Sequence, residues 1–123
     1  MIKNLILVFI GGGLGSSLRY IIGKYLNAGH LLPFGTFLVN ILGSLILGVI
    51  LGWALKTNSL NTPLNLMLGI GFCGGFTTFS TFSFENYSII KSGDYLTFSV
   101  YLFGSLILGM LAVLIGIFIS KYL

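Results

Sequence analysis

Four long apolar stretches alternate with short polar segments along the chain. They cover, approximately, residues 5–26, 34–55, 64–90 and 95–120. Each is long enough to cross the hydrocarbon core of a bilayer as a helix, which takes about 20 apolar residues. No segment sustains the two-residue alternation of a lipid-facing strand, which disfavours a β-barrel. The pattern predicts an all-α membrane protein, a single domain of four transmembrane helices in a lipid bilayer.

Composition supports this prediction and excludes several classes of protein. Hydrophobic residues make up 56% of the chain and charged residues only 7%, whereas soluble domains carry about 25% charged residues. The Lys and Arg residues are scattered rather than clustered, so nucleic acid is not an expected partner. The single cysteine excludes an intramolecular disulfide framework.

Basic residues give the chain no preferred orientation in a membrane. Four spans put three of them on each side, namely Lys3, Lys56 and Lys121 against Arg19, Lys24 and Lys91. Because orientation normally follows an excess of Lys and Arg on one side, this balance favours insertion in both directions. Two opposed copies form an antiparallel homodimer with a two-fold axis in the membrane plane. The alternative is a single topology with a weak bias.

The third stretch is a poor continuous helix. Gly74 and Gly75 weaken helical continuity, and the β-branched residues Thr77 and Thr78 follow directly. A break at membrane depth needs shielding by protein or a water-filled cavity, and unwound backbone of this kind is a recurrent ion site. We therefore predict a broken helix, with the break near residues 74–78. The alternative is that the two glycines only let another helix approach.

Aromatic rings and hydroxyls are interleaved after the predicted break. Phe79 and Phe82 lie three residues apart and share a helix face. The hydroxyl residues around them are Thr77, Thr78, Ser80, Thr81 and Ser83. Ring edges are weakly positive and hydroxyls donate hydrogen bonds, so the segment suits a small anion. Because it carries no fixed cation, it would pass the anion without trapping it.

Five further polar residues lie in the apolar stretches. For each of them a functional role competes with a purely structural one. Asn40 either lines a pore or joins helices through its amide. Arg19 either attracts anions to a vestibule or extends to the interface. Tyr101 and Ser105, four residues apart, either extend a polar track or serve as an interface anchor and a backbone bond. Glu85 is either a functional carboxylate or a solvated helix end.

The sequence shows no recognisable set of catalytic residues. The only histidine, His30, lies in a predicted turn, and the only cysteine, Cys73, lies in an apolar context. No nucleophile with a neighbouring base, phosphate-binding loop or pair of carboxylates is present. We therefore expect no enzymatic activity.

Residues 74–83, which read Gly-Gly-Phe-Thr-Thr-Phe-Ser-Thr-Phe-Ser, resemble the motif of the Fluc (CrcB) fluoride channels. Two further patterns are similar to that family. The Gly-rich first stretch ends in Arg19-Tyr20, and the second stretch contains Gly35-Thr36, Asn40 and Gly43. The resemblance covers essentially the whole chain.

This resemblance implies a passive, fluoride-selective channel in the inner cell membrane that exports fluoride and relieves its toxicity. It implies an antiparallel homodimer with two pores, a broken third helix and a structural sodium ion at the dimer centre. The sodium would be held by backbone carbonyls of Gly74 and Thr77 from both copies. Phe79 and Phe82 would line the fluoride path, with Asn40 donating from the second helix.

The chain departs from the family at one position. Family members often carry a hydroxyl one turn after the position of Ser105, where this chain has Gly109. Water or another side chain would have to complete the polar track at that end.

Two other functions compete with a channel. A small multidrug exporter is also short, has four spans and inserts in both directions, but its coupling chemistry needs a carboxylate in the first helix. The first stretch here has none. A structural or assembly protein, in which the glycines only pack helices, is the other alternative.

Overall fold

The computed structural model describes all residues, 1–123, and its regular elements are all helices. In chain order they are α1 (Ile2–Leu26), α2 (Phe34–Lys56), α3 (63–76), α4 (Ser80–Lys91) and α5 (Tyr95–Ser120). Helices α3 and α4 together form the third of four segments that are long and apolar enough to cross a membrane. This confirms the predicted all-α architecture with an interrupted third segment.

The interruption lies after the glycine pair rather than at it. Helix α3 is π-helical over Leu66–Cys73 and α-helical on either side, and Gly74 keeps helical angles. Thr77 is extended, with φ −86° and ψ 159°, and α4 begins three residues later at Ser80. The break therefore starts at the far end of the predicted 74–78 segment, where the helical hydrogen bonds stop.

Glycines of α1 and α3 let the two backbones touch. A Cβ atom on Gly15 would overlap the carbonyl oxygen of Phe72, and one on Gly75 would overlap the carbonyl oxygen of Gly12. Gly75 therefore serves close helix packing, the alternative raised above. Gly74 differs, because a Cβ atom there would meet nothing within 4 Å.

Two side chains fix the ends of the helices next to the break. Asn27, at the end of α1, accepts hydrogen bonds through Oδ1 from the N–H groups of Gly35 (2.7 Å) and Thr36 (3.2 Å), and so caps α2. Asp94 caps α5 by accepting from the N–H and the hydroxyl of Thr97. These two bonds hold the pKa of Asp94 below its usual value.

The close backbone contact between α1 and α3 leads to a prediction about stability. We expect Gly15→Ala to lower the free energy of unfolding by about 1–3 kcal/mol, because the new methyl group overlaps backbone that cannot move away easily. Thermal unfolding of the purified protein in detergent measures this. Gly13→Ala is the matched control, because its Cβ atom meets nothing within 4 Å. Equal unfolding temperatures for the two variants would contradict the prediction.

Candidate functional site

The break is held in place by one side chain of α2. The amide of Asn40 donates through Nδ2 to the carbonyl oxygen of Thr78 (3.1 Å) and accepts through Oδ1 from the N–H of Thr78 (2.7 Å). Both backbone groups of Thr78 are thus satisfied outside any helix. A membrane-spanning segment tolerates unwound backbone only when such partners exist. Asn40 therefore joins α2 to the third segment and also lies at the candidate ion site.

The same arrangement leaves several carbonyl groups without their helical partners, among them those of Gly74 and Thr77. In a continuous α-helix, the Gly74 carbonyl would accept from the N–H of Thr78, which here donates to Asn40. The Thr77 carbonyl would accept from the N–H of Thr81, which donates to the Thr78 hydroxyl instead (3.1 Å). These are the two carbonyls that the resemblance assigns to sodium. Carbonyl oxygens suit a hard cation, and the chain has no cluster of His, Cys, Asp and Glu side chains for a softer metal.

An open groove of about 360 Å³ lies beside the break, between α2 and α5. Its polar lining consists of Asn40, Ser44, Thr77, Thr78 and Ser105. Two phenyl rings also line it, with centroids 6.3 Å apart and planes tilted by 43°. The rest of the lining is apolar and consists of Leu106, Gly109, Met110 and Val113. Phe82 is 5% exposed and packs on Tyr101, whereas Phe79 is 76% exposed. The groove therefore combines neutral hydrogen-bond donors with aromatic rings and contains no charged side chain.

A second cavity, of about 180 Å³, lies on the α1 side of the break. Arg19 and Lys24 line it together with Thr78 and Thr81, and Thr78 also lines the groove. Arg19 donates through Nε to the carbonyl oxygen of Gly75 (2.9 Å), at the end of α3. Arg19 is thus half-buried and bonded to the end of α3.

Glu85 belongs to a hydrogen-bonded chain that joins three helices. Its carboxylate accepts from the hydroxyl of Thr36 on α2 (2.7 Å) and from the hydroxyl of Tyr101 on α5 (2.8 Å). Asn27 donates in turn to Thr36 Oγ1 (3.2 Å). Glu85 is therefore not a freely solvated helix end, and Tyr101, which is 2% exposed, directs its hydroxyl to Glu85 and does not line the groove.

The structure brings some of the sequence-predicted site residues together and separates others. The groove gathers Asn40, Thr77, Phe79, Phe82 and Ser105. Arg19 and Thr81 line the second cavity, and Gly74 is exposed at the end of α3. Ser80 is exposed at the start of α4, with its hydroxyl 3.5 Å from that of Thr78.

Several lining residues are not among the site residues predicted from the sequence, and two of them bear on the route of an anion. Ser44 lines the groove and Lys24 lines the second cavity. The signal for Ser44 was its position four residues after Asn40, which puts the two on one face of α2. Lys24 gave no such signal, because a basic residue near a helix end is also typical of an interface anchor.

The Asn40 bonds generate the second prediction. Asn40→Ala leaves the N–H and carbonyl of Thr78 without partners, so we expect unfolding to become easier by about 1–3 kcal/mol. Thermal unfolding in detergent measures the loss, and hydrogen–deuterium exchange at Thr78 should speed up. Asn61→Ala, in the exposed loop before α3, is the matched control. Unchanged exchange at Thr78 in the Asn40 variant would refute this account of the break.

Comparison with known proteins identifies the family of this sequence. Residues 6–117 match the family model described as CrcB-like protein, Camphor Resistance (CrcB). A protein named fluoride-specific ion channel FluC from Phocaeicola vulgatus is 48% identical over 121 residues, which cover 97% of this chain and 99% of the relative. Proteins of the same name from Gloeothece citriformis and Oceanobacillus iheyensis are 44% and 39% identical, covering 96% and 98% of this chain and 97% and 93% of the relatives.

These matches extend over nearly the whole chain and include all four apolar segments. They identify the chain as a multi-pass protein of the cell membrane, from a family of channels rather than enzymes. The chain belongs to the CrcB family.

Proposed function

We propose that this chain forms a passive channel that carries fluoride out of the cell. The observation that carries the proposal is the groove beside the break, whose lining combines hydroxyl and amide groups with two phenyl rings and contains no charged side chain. Conduction requires binding that is favourable enough for entry and weak enough for exit. The names of the relatives, which are 38–48% identical to this chain, support fluoride as the ion.

The route we propose runs from the second cavity to the groove. Arg19 and Lys24 give the cavity a positive potential that concentrates anions there. Thr78 lines both spaces, so an anion leaving the cavity passes the Asn40–Thr78 bonds and enters the groove. There it meets the rings of Phe79 and Phe82 and the hydroxyl of Ser105. Ser80 and Thr81 lie at the start of α4, next to this route.

We propose that the working unit is an antiparallel homodimer with two pores. Phe79 is 76% exposed at the rim of the open groove, and a second copy would cover it there. The equal number of basic residues on the two sides of the membrane supports insertion in both directions. A two-fold axis in the membrane plane would then give each copy one groove and the dimer two.

A structural sodium ion at the dimer centre is part of the proposal. The Gly74 and Thr77 carbonyls have lost their helical donors, and Gly74 faces open space. Two copies would together contribute four such oxygens, a suitable donor set for a hard monovalent cation. When bound, the ion supplies a positive charge near the anion path and links the two copies. In this proposal the ion is a structural component and is not transported.

Export needs no energy source beyond the membrane potential. Hydrogen fluoride is a weak acid that crosses membranes in its neutral form and ionises inside, where fluoride accumulates. An interior-negative potential favours exit of one negative charge by about 2.3 kcal/mol per 100 mV. We therefore propose that the channel relieves fluoride toxicity without a coupling ion or ATP.

Liposomes that contain the purified protein test the channel and its aromatic lining. We expect rapid fluoride efflux with chloride retained, and Phe82→Ile should slow fluoride efflux about tenfold because the ring edge is lost. Phe118→Ile is the control, since Phe118 lies on α5 outside the groove. No fluoride efflux, or equal passage of both halides, would refute the proposed function. Equal rates for the two variants would refute the role of the ring.

The sodium site has a separate test that does not require transport. Replacing sodium by choline at constant ionic strength should lower the unfolding temperature in detergent and move the protein from dimer to monomer. At a sodium concentration of 100 times its dissociation constant, binding stabilises the folded state by about 2.7 kcal/mol. An unfolding temperature and an oligomeric state that do not respond to sodium would contradict this part of the proposal.

A further inference from the structure

Most polar groups around the groove already make hydrogen bonds within the chain. The hydroxyl of Thr77 donates to the carbonyl oxygen of Cys73 (2.8 Å). The amide of Asn40 is bound to both backbone groups of Thr78. The hydroxyl of Thr78 accepts from the N–H of Thr81. An anion in the groove would therefore share these groups with the bonds that hold the break.

Ser105 is the first exception. Its Oγ atom is buried and has no hydrogen-bond partner, although the residue lines the groove. A buried hydroxyl without a partner is costly, and in native proteins it normally has a ligand or a water to bind. The Ser105 hydroxyl is thus available to a molecule in the groove.

Ser44 lines the groove from α2. It lies four residues after Asn40 on α2, and it lines the same groove as Ser105 and Gly109 of α5. Because Gly109 has no side chain, α5 leaves space in front of Ser44. A Cβ atom built on Gly109 would lie 3.9 Å from Ser44 Oγ, at ordinary contact distance.

We propose that Ser44 and Ser105 form a pair of hydroxyl donors that binds the anion in the groove beyond the Asn40–Thr78 bonds. The pair deepens the proposed function and rests on it. Two neutral hydroxyls favour a small anion with strongly accepting character over larger halides, because a hydroxyl bonds best at short distance. Ser44 completes from α2 the polar track that α5 interrupts at Gly109.

Fluoride efflux from liposomes tests the pair. Ser44→Ala should slow efflux about tenfold, the effect of losing a hydrogen bond to a charged group. Ser44→Ala combined with Gly109→Ser should recover most of the rate, because the new hydroxyl enters the same space from α5 without a clash. Ser88→Ala is the matched control, since the Ser88 hydroxyl bonds to its own helix on an exposed face.

The outcomes separate this inference from the proposed function. Efflux by Ser44→Ala at the wild-type rate would overturn the role of Ser44 and leave the channel intact. So would equal losses in Ser44→Ala and Ser88→Ala, or a slow Ser44→Ala that Gly109→Ser fails to rescue while its unfolding temperature matches wild type. A wild-type protein that carries no fluoride would overturn the channel and this pair together.

Discussion

The two hydrogen bonds between Asn40 and Thr78 are the constraint on which the rest of the site depends. They satisfy the N–H and the carbonyl of Thr78, which lies between the two halves of the third segment, and they join Thr78 to α2. Lipid offers no alternative partners for unwound backbone, so this amide stabilises the break. The freed carbonyls, the groove and the second cavity all depend on the position at which Thr78 is held. A continuous helix would withdraw the carbonyls into its own hydrogen-bond ladder.

Much of the architecture was predictable from the sequence because hydropathy and length decide it in a membrane. The exact position of the break was not. Local propensity pointed to Gly74 and Gly75, whereas the helix actually stops at Thr77, where Asn40 intercepts the next hydrogen bond from 38 residues away. Tertiary contact thus overrode propensity by about three residues. Position 75 requires glycine for a different reason, because the backbone there contacts Gly12.

The directions of the side chains at the site could not be predicted from the spacing of residues along the helices. Tyr101 and Ser105 share a helix face and were expected to lie on one track. Tyr101 turns to Glu85, and only Ser105 reaches the groove. The carboxylate explains the difference, since its two oxygens take the hydroxyls of both Thr36 and Tyr101. This also weakens the exporter alternative, because Glu85 already bonds to its neighbours and lies on α4 rather than α1.

The bond from Arg19 to Gly75 has an electrostatic consequence for anything negative that crosses here. A helix that ends inside a membrane exposes a partial negative charge of about half an electron at its carboxyl end. Helix α3 ends in this way at Phe76. Thr78, which lines both the groove and the second cavity, follows two residues later. The guanidinium of Arg19 lies on the last turn and compensates that pole. The interrupted helix thereby offers open backbone without the repulsive field that an uncapped terminus would impose on a passing anion.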